Sequence, residues 1–283
     1  MDYSIWPWKV VIPSYNRADY INKATLEVCI YYKIPESLIY IFIVNDPIQI
    51  NLYKTSLIKY TDINIIYGPL GLKNMRNFIT AYFNEDTPLL CMDDDIMSLH
   101  CLCEDITITD IKKASHWKLE ILKPNNFYNW TMEAYKLMKT RNLRLFGIYP
   151  VKNGFFMKDL PSITYDARFC VGAFWGVLNT KDDKMQITLE EKEDMERSIL
   201  YTIHDGGILR FNTITLSTKY YKTPGGMQTH QTNSDRIQNS INSSIILYNR
   251  YPTICKLYYG KKNGMCEIRF NKKCNLTTSN IIN

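Results

Sequence analysis

The stretch LLCMDDD, residues 89–95, is an unbroken apolar run that ends on three consecutive carboxylates. Apolar residues without alternation suit a strand covered on both faces, as in a parallel sheet. Working outward from it, three earlier runs have the same form: KVVIP (9–13), IYIFIV (39–44) and INIIY (63–67). Each is rich in β-branched residues and closes on turn chemistry, at Pro13-Ser14, Asp46-Pro47 and Gly68-Pro69. Segments of helical length separate them, over 19–32, 48–60 and 72–83. Strand and helix in alternation predict right-handed βαβ units and an open α/β sheet, mostly parallel and flanked by helices. Ligands of such sheets bind beyond the carboxyl ends of the strands. The residues placed there are Ser14-Tyr15-Asn16-Arg17, Asn45-Asp46, Gly68 to Gly71 and Asp93-Asp94-Asp95.

Downstream, the pattern predicts helices over 108–123, 129–139 and 190–201, and strand-like pieces over 143–149, 168–178 and 208–221. Asn and Ser fill 233–244, which reads as a loop or linker. Ile268 to Phe270 closes a hairpin through Lys261 to Gly264, where Asn263-Gly264 is a turn signal. The expected division is a 1–230 domain and a small basic C-terminal extension, 231–283, packed on it.

The chain has 283 residues, of which 46% are hydrophobic and 22% charged, ordinary globular usage that excludes a disordered or collagen-like chain. No run approaches the ~18–20 apolar residues that span a bilayer. The first residues, MDYSIWPWKVVIP, lack the pattern of a signal peptide. The eight cysteines are scattered, which suits reduced thiols in a cytoplasmic protein; Cys101 and Cys103 have no second pair at zinc-finger spacing. Abundant Asn, Ile, Lys and Tyr point to an AT-rich genome and a viral source. The net charge is +6, and residues 231–283 hold eight basic side chains against two acidic ones, so the first 230 residues balance. Such a segment attracts a phosphate backbone or an anionic surface, or is a solvated face.

Three features carry candidate chemistry. Asp93, Asp94 and Asp95 form either a site for Mg²⁺ or Mn²⁺, which prefer hard oxygen ligands, or a solvated turn. The run EEKEDMER (190–197) either places acids at a helix start, where the dipole favours them, or supplies a general base from Glu193 or Asp194. In TPGGMQTH (223–230), the glycines permit a tight loop and His230 is a candidate metal or phosphate ligand. His100, His116 and His204 are weaker candidates for the same role.

The ordered set IPSYNR (12–17), VND (44–46), GLKNMRN (71–77), MDDDI (92–96), VGAFWG (171–176), KEDMERSIL (192–200) and GGMQTH (225–230) resembles a GT-A-fold, family-2-like glycosyltransferase. The resemblance implies a Rossmann-like GT-A sheet and an inverting transfer from a nucleotide sugar. It implies that Pro13, Ser14, Tyr15, Arg17 and Asp46 hold the nucleotide and that Lys73, Arg76 and Asn77 face nucleotide and sugar. Asp93 and Asp95 would then carry the metal with Asp94 between them, and Glu193-Asp194 would supply the base, Asp194 first. Gly172 and Gly176 match small residues that admit an acceptor, and His230 matches a metal-proximal histidine. Two departures stand out: Asn45-Asp46 replaces the usual acidic pair, and the insert 100–165 exceeds the minimal fold. Within the class, IPSYNRADYI, the G-L-x-x-x-R-N helix and MDDDI are similar to the oxygenase-associated, base J-type DNA glycosyltransferases. That similarity implies a hexose, glucose from UDP-glucose, moved to hydroxymethylpyrimidine in DNA. The alternatives are a glycan, glycoprotein or lipid-linked acceptor, and a non-catalytic nucleotide-sugar-binding module. A phosphoryl transferase would need a glycine-rich phosphate loop where Ser14-Tyr15-Asn16-Arg17 stands.

Overall fold

A computed structural model of the chain describes residues 6–104, 109, 112, 113, 116–218, 225, 226, 233–259 and 266–271. The four apolar runs form strands β1 (Lys9–Ser14), β2 (Ile39–Val44), β3 (Asn64–Gly68) and β4 (Pro88–Met92). They lie parallel in the order β3-β2-β1-β4. Alternate residues of these strands enter two separate cores. Val10, Ile12, Ile41 and Ile43 pack with Trp8, Phe127 and Phe146 on one face. Val11, Phe42 and Val44 pack with Met75 and Ile79 on the other. Burial on both faces is the reason the runs show no polar alternation.

The helices between them are α1 (Ala18–Ile21), α2 (Thr25–Tyr31), α3 (Pro47–Ser56) and α4 (Leu72–Tyr82). Asp46 caps α3, its Oδ1 accepting from the N–H groups of Ile48 and Gln49 at 3.0 Å each. The expected helix over 19–32 is two short ones. Asn22 lies between them, and its amide donates to Ser56 Oγ at 2.7 Å.

Beyond β4 the main sheet continues through β9 (Phe174–Leu178), β7 (Leu145–Ile148), β10 (Leu209–Phe211) and β8 (Ile163–Thr164). Only β9 and β8 run against the rest. The covering helices here are α5 (Pro124–Arg141), α6 (Gly154–Met157) and α7 (Glu193–Asp205).

Three expectations are corrected. The helix over 108–123 is not formed across its C-terminal half: β5 (Ile96–Glu104) pairs antiparallel with β6 (Trp117–Ile121). Trp117, Leu119 and Ile121 alternate with Lys118 and Glu120, the period of two that a ribbon requires. The strand over 208–221 divides at Asn212: β10 stays in the main sheet, while β11 (Ile214–Thr218) pairs with β5. Buried Asn212 donates to the Pro161 carbonyl at 2.7 Å and accepts from Arg210 Nε at 2.8 Å. The linker over 233–244 is the first part of helix α8 (Asn233–Arg250). Ser240, Ser244 and Leu247 share its buried face, and Ser244 Oγ donates to the Ser240 carbonyl at 2.8 Å. Small hydroxyl residues fill that face, so composition alone reads as loop.

The expected hairpin is formed by β12 (Cys255–Tyr258) and β13 (Glu267–Phe270), against which α8 packs. This C-terminal piece buries Leu247, Ile254, Cys255 and Ile268 against Leu189, Met195 and Ile199. Arg250 Nη1 also lies 2.7 Å from Thr188 Oγ1 and 3.3 Å from Glu196 Oε1. No helix among the described residues is long and apolar enough to cross a membrane.

Candidate active site

Parallel pairing brings the carboxyl ends of β1 to β4 to one edge of the sheet. Antiparallel β9 begins at that same edge, since Phe174 pairs with Met92. Asp93 therefore stands beside the 170–173 segment, and its N–H donates to the Ala173 carbonyl at 2.9 Å. The first turn of α7 comes up against the same segment. The two acidic motifs, a hundred residues apart in sequence, become neighbours across one stretch of backbone.

The three aspartates have different surroundings. Asp94 is buried and fully engaged: Ser14 Oγ donates to Oδ2 at 2.6 Å and Arg17 Nη1 to Oδ1 at 2.6 Å. Asp93 gives Oδ1 to Arg76 Nη2 at 2.7 Å, while 35% of its side-chain surface stays open to solvent. Asp95 lies 3.7 Å from Arg17 Nη1. Burial, with Asp93 and Asp94 close by, pushes its carboxyl up to about 7. Burial raises Asp93 and Asp94 as well, opposed chiefly by Arg76 and Arg17 respectively. Thr25 holds the turn in shape: its Oγ1 donates to the Asp93 carbonyl at 2.6 Å and accepts from Ile96 N at 3.0 Å.

At the other motif, Glu193 is buried and Asp194 half-buried. Glu193 Oε2 takes Arg197 Nη1 at 3.0 Å, and its Oε1 is 3.7 Å from Arg76 Nε. Asp194 Oδ1 accepts from Met195 N at 2.9 Å, and Oδ2 lies 3.4 Å from Gly172 N. Burial and then the adjacent Glu193 push the Asp194 carboxyl up to about 6, against Arg197 and Lys192. A carboxylate with that value is mostly ionised at neutral pH and still basic enough to accept a proton. Gly172 has no room for more: a Cβ there would stand 3.0 Å from Glu193 Oε1 and 3.3 Å from Asp194 Cβ. Gly176 has a different reason for being glycine. Its Cβ would fall 1.8 Å from Phe146 Cε1, so it serves strand packing, and the expectation that it admits an acceptor is corrected.

Several residues expected to face a nucleotide have protein partners. Ser14 shares its hydroxyl between Asp94 and Tyr53, whose hydroxyl is 2.5 Å away. Arg17 is ion-paired to Asp94, which offsets the cost of its burial and holds its guanidinium above the ordinary value. Arg76 is buried and also donates to the Gly172 carbonyl at 3.1 Å. Asn77 makes a two-way bond with the backbone of Ile187, at 2.8 and 2.9 Å. Pro13 is buried in β1. Tyr15 and Lys73 are half-buried, and Asp46 keeps Oδ2 out of its capping bonds. Gly226 N donates to the Tyr15 carbonyl at 2.8 Å, which brings the Gly225-Gly226 turn onto the β1 loop. His230 lies outside the described residues.

Sequence reasoning missed Thr25, Gln49, Tyr53 and Arg197. Gln49 reaches back to Asn16, accepting from its N–H at 3.0 Å and donating to its side-chain oxygen. Thr25, Gln49 and Tyr53 have partners far away in sequence, so they reach them only through the fold. Arg197 alone had a signal, a cation four residues after Glu193 on one helix face. His204, by contrast, pairs with Asp205 at the far end of α7, 2.5 Å away.

Among the described residues, no three His, Cys, Asp or Glu side chains are grouped as an all-protein metal site needs. Asp93 and Asp95 are the carboxylates that could hold a hard dication of the kind bound by one or two carboxylates together with substrate phosphates. Five carboxylates meet three arginines here, and the acid-rich balance is the same observation in electrostatic form.

No protein-family model matches the chain, and no curated protein matches it in sequence. Its structure is similar to that of Staphylococcus aureus TarS 1–349 in complex with UDP-GlcNAc, with TM-score 0.50 and 11% identity. That match covers 86% of this chain and 67% of that one. Against a longer TarS chain the TM-score is 0.45 at 11% identity, covering 86% of this chain and 40% of that one. The mannosyltransferase PcManGT from Pyrobaculum calidifontis, in complex with GDP-Man and Mn²⁺, gives 0.46 at 9% identity, covering 74% and 57%. The chain thus spans about two thirds of the length of the shorter TarS chain and well under half of the longer one. The fold is that of the GT-A glycosyltransferases.

Proposed function

We propose that the chain is a metal-dependent, inverting glycosyltransferase that moves a hexose from a nucleotide sugar to a hydroxyl acceptor. The observation that carries this reading is the meeting of Asp93, two residues from Asp95, with Asp194 across the 172–173 backbone, at the carboxyl ends of the parallel strands of a GT-A sheet. Asp194 holds the acceptor hydroxyl and takes its proton. The hydroxyl oxygen bonds to the anomeric carbon as the bond from that carbon to the diphosphate oxygen breaks, and the nucleoside diphosphate leaves with the electron pair. A single displacement of this kind inverts the anomeric centre. Mn²⁺ or Mg²⁺ on Asp93 and Asp95 would supply charge neutralisation of the departing diphosphate. Asp46 and the β1 loop, with Tyr15 at its edge, line the nucleotide end. A UDP-hexose, glucose first, is the donor this reading favours, and the likeness to a UDP-GlcNAc complex supports the UDP part.

For the acceptor we favour hydroxymethylpyrimidine in DNA, with the base flipped out or single-stranded so that its hydroxymethyl group reaches Asp194. The basic C-terminal segment supports a phosphate-backbone partner. On the outer face of the β12–β13 hairpin, Lys256 and Arg269 are exposed and Arg269 lies 3.8 Å over the Tyr258 ring. The free thiols of the described cysteines and the residue bias support an intracellular, viral setting.

The test has two arms. Thermal unfolding with a panel of nucleotide sugars, with and without Mn²⁺, identifies the donor by the shift one of them produces. Transfer assays with that donor then compare hydroxymethylated DNA with glycan acceptors. Metal-independent shifts, or none with any nucleotide sugar, refute the reading. Transfer to glycan alone refutes the DNA acceptor.

A further inference from the structure

Both members of the Glu193-Asp194 pair were candidates for the base, and the structure separates them. Glu193 is 5% exposed, and guanidiniums flank both its oxygens. Arg197 is itself fixed, with its guanidinium 3.9 Å over the ring of Trp175 on β9. Arg76, on α4, is fixed from the other side by Asp93 Oδ1 at 2.7 Å and the Gly172 carbonyl at 3.1 Å. The 170–173 backbone is stitched to α7 by a further bond, Cys170 N to Ser198 Oγ at 2.9 Å, and Ser198 Oγ donates to the Asp194 carbonyl at 2.7 Å.

Resting on the transferase reading, we propose that Glu193 is a positioning residue. Clamped between Arg76 and Arg197, it sets the place of Asp194 relative to Asp93 and takes no proton. The chain of contacts is continuous: Asp93 to Arg76, Arg76 to Glu193 and to the Gly172 carbonyl, Gly172 N to Asp194. Asp194 is partly exposed and so within reach of an acceptor hydroxyl, whereas Glu193 is buried with a guanidinium at each of its oxygens. Removing the charge of Glu193 leaves two buried arginines with no carboxylate between them, and the first turn of α7 loses its anchor to α4 and β9. Arg76 and Arg197, one expected at the nucleotide and the other missed, thereby take a shared role.

The test compares Glu193→Gln, Glu193→Asp and Asp194→Asn with wild type for kcat and donor KM. Glu193→Gln is expected to lower kcat about tenfold or more with donor KM within twofold of wild type. Glu193→Asp, which restores the charge on a shorter arm, is expected to recover part of that loss. Asp194→Asn is expected to remove transfer. Loss in Glu193→Gln as complete as in Asp194→Asn would make Glu193 a proton acceptor and overturn the inference. A kcat equal to wild type would overturn it too. Thermal unfolding of Glu193→Gln, Arg197→Gln and the double variant supplies a readout that needs no turnover. A clamp predicts a double-variant shift clearly smaller than the sum of the singles. An active wild type with additive shifts refutes the clamp alone, whereas a wild type that transfers no sugar refutes the transferase reading and this inference with it.

Discussion

Gly172→Ala perturbs the site by one methyl group, and its effect can be worked from distances. The added Cβ would stand 3.0 Å from Glu193 Oε1, 3.3 Å from Asp194 Cβ and 3.5 Å from Asp194 Oδ2. Relief requires the neighbours to give by a few tenths of an ångström. Glu193 cannot swing aside, since Arg197 holds it at 3.0 Å and Trp175 backs Arg197. The displacement is therefore passed to the first turn of α7, and with it to Asp194. A misplacement of about 1 Å costs roughly a hundredfold in rate, so a third of that costs about fivefold on a logarithmic scale, or about 1 kcal/mol in the barrier. The stability cost of such overpacking is roughly 1–3 kcal/mol, small enough for the variant to fold. The assay is steady-state transfer with the donor varied: kcat is expected to fall about fivefold while donor KM stays within twofold. Unchanged kcat, or a loss confined to KM, would refute the placement of Gly172 between metal site and base. Gly176→Ala is the contrast, because its Cβ would fall 1.8 Å from Phe146 Cε1 between two core strands, and failure to fold is expected.

Asp194→Asn should abolish transfer while donor-induced thermal stabilisation in Mn²⁺ persists; loss of both would place Asp194 in donor binding. The rate of transfer should fall as pH drops through about 6, where Asp194 becomes protonated, and a flat profile from pH 5 to 8 would exclude it as the base. The same group has a stability consequence. Its folded value lies above the ordinary 3.8, so its contribution is fully present below about 4 and is lost as pH rises through about 6, which denaturant titration at several pH values reads. Glu196→Gln should destabilise by about 2–3 kcal/mol in urea unfolding. This buried carboxylate accepts from Thr188 N, Leu189 N and Thr188 Oγ1 at 2.6–2.9 Å. Arg250→Ala, which removes only its half-exposed partner, should cost less than about 1 kcal/mol.

The parts of this protein legible in the sequence are those governed by local pattern. The four apolar runs without alternation appear as β1 to β4 within a residue or so of their expected bounds, because burial on both faces writes itself directly into composition. The helix over 108–123 and the linker over 233–244 were misread for local reasons of the opposite kind. The alternation over Trp117–Ile121 lasts only five residues, too few to tell strand from helix, and the first part of α8 buries Ser240, Ser243 and Ser244, which read as loop by composition.

The sequence by itself determined which end of the sheet carries the candidate site, since each strand of the first half closes on polar residues and the fourth closes on three aspartates. It also singled out the second acidic motif. The division of labour among those residues was decided only by the tertiary structure. Adjacent carboxylates such as Asp93 and Asp94, or Glu193 and Asp194, are chemically alike in sequence. Burial, the reach of Arg17 and Arg76 from other elements, and Arg197 one turn along α7 make Asp94 and Glu193 anchors and leave Asp93 and Asp194 partly exposed. Arg17 and Arg76 come from distant segments whose distance no local pattern encodes, and only the Glu193–Arg197 spacing is local.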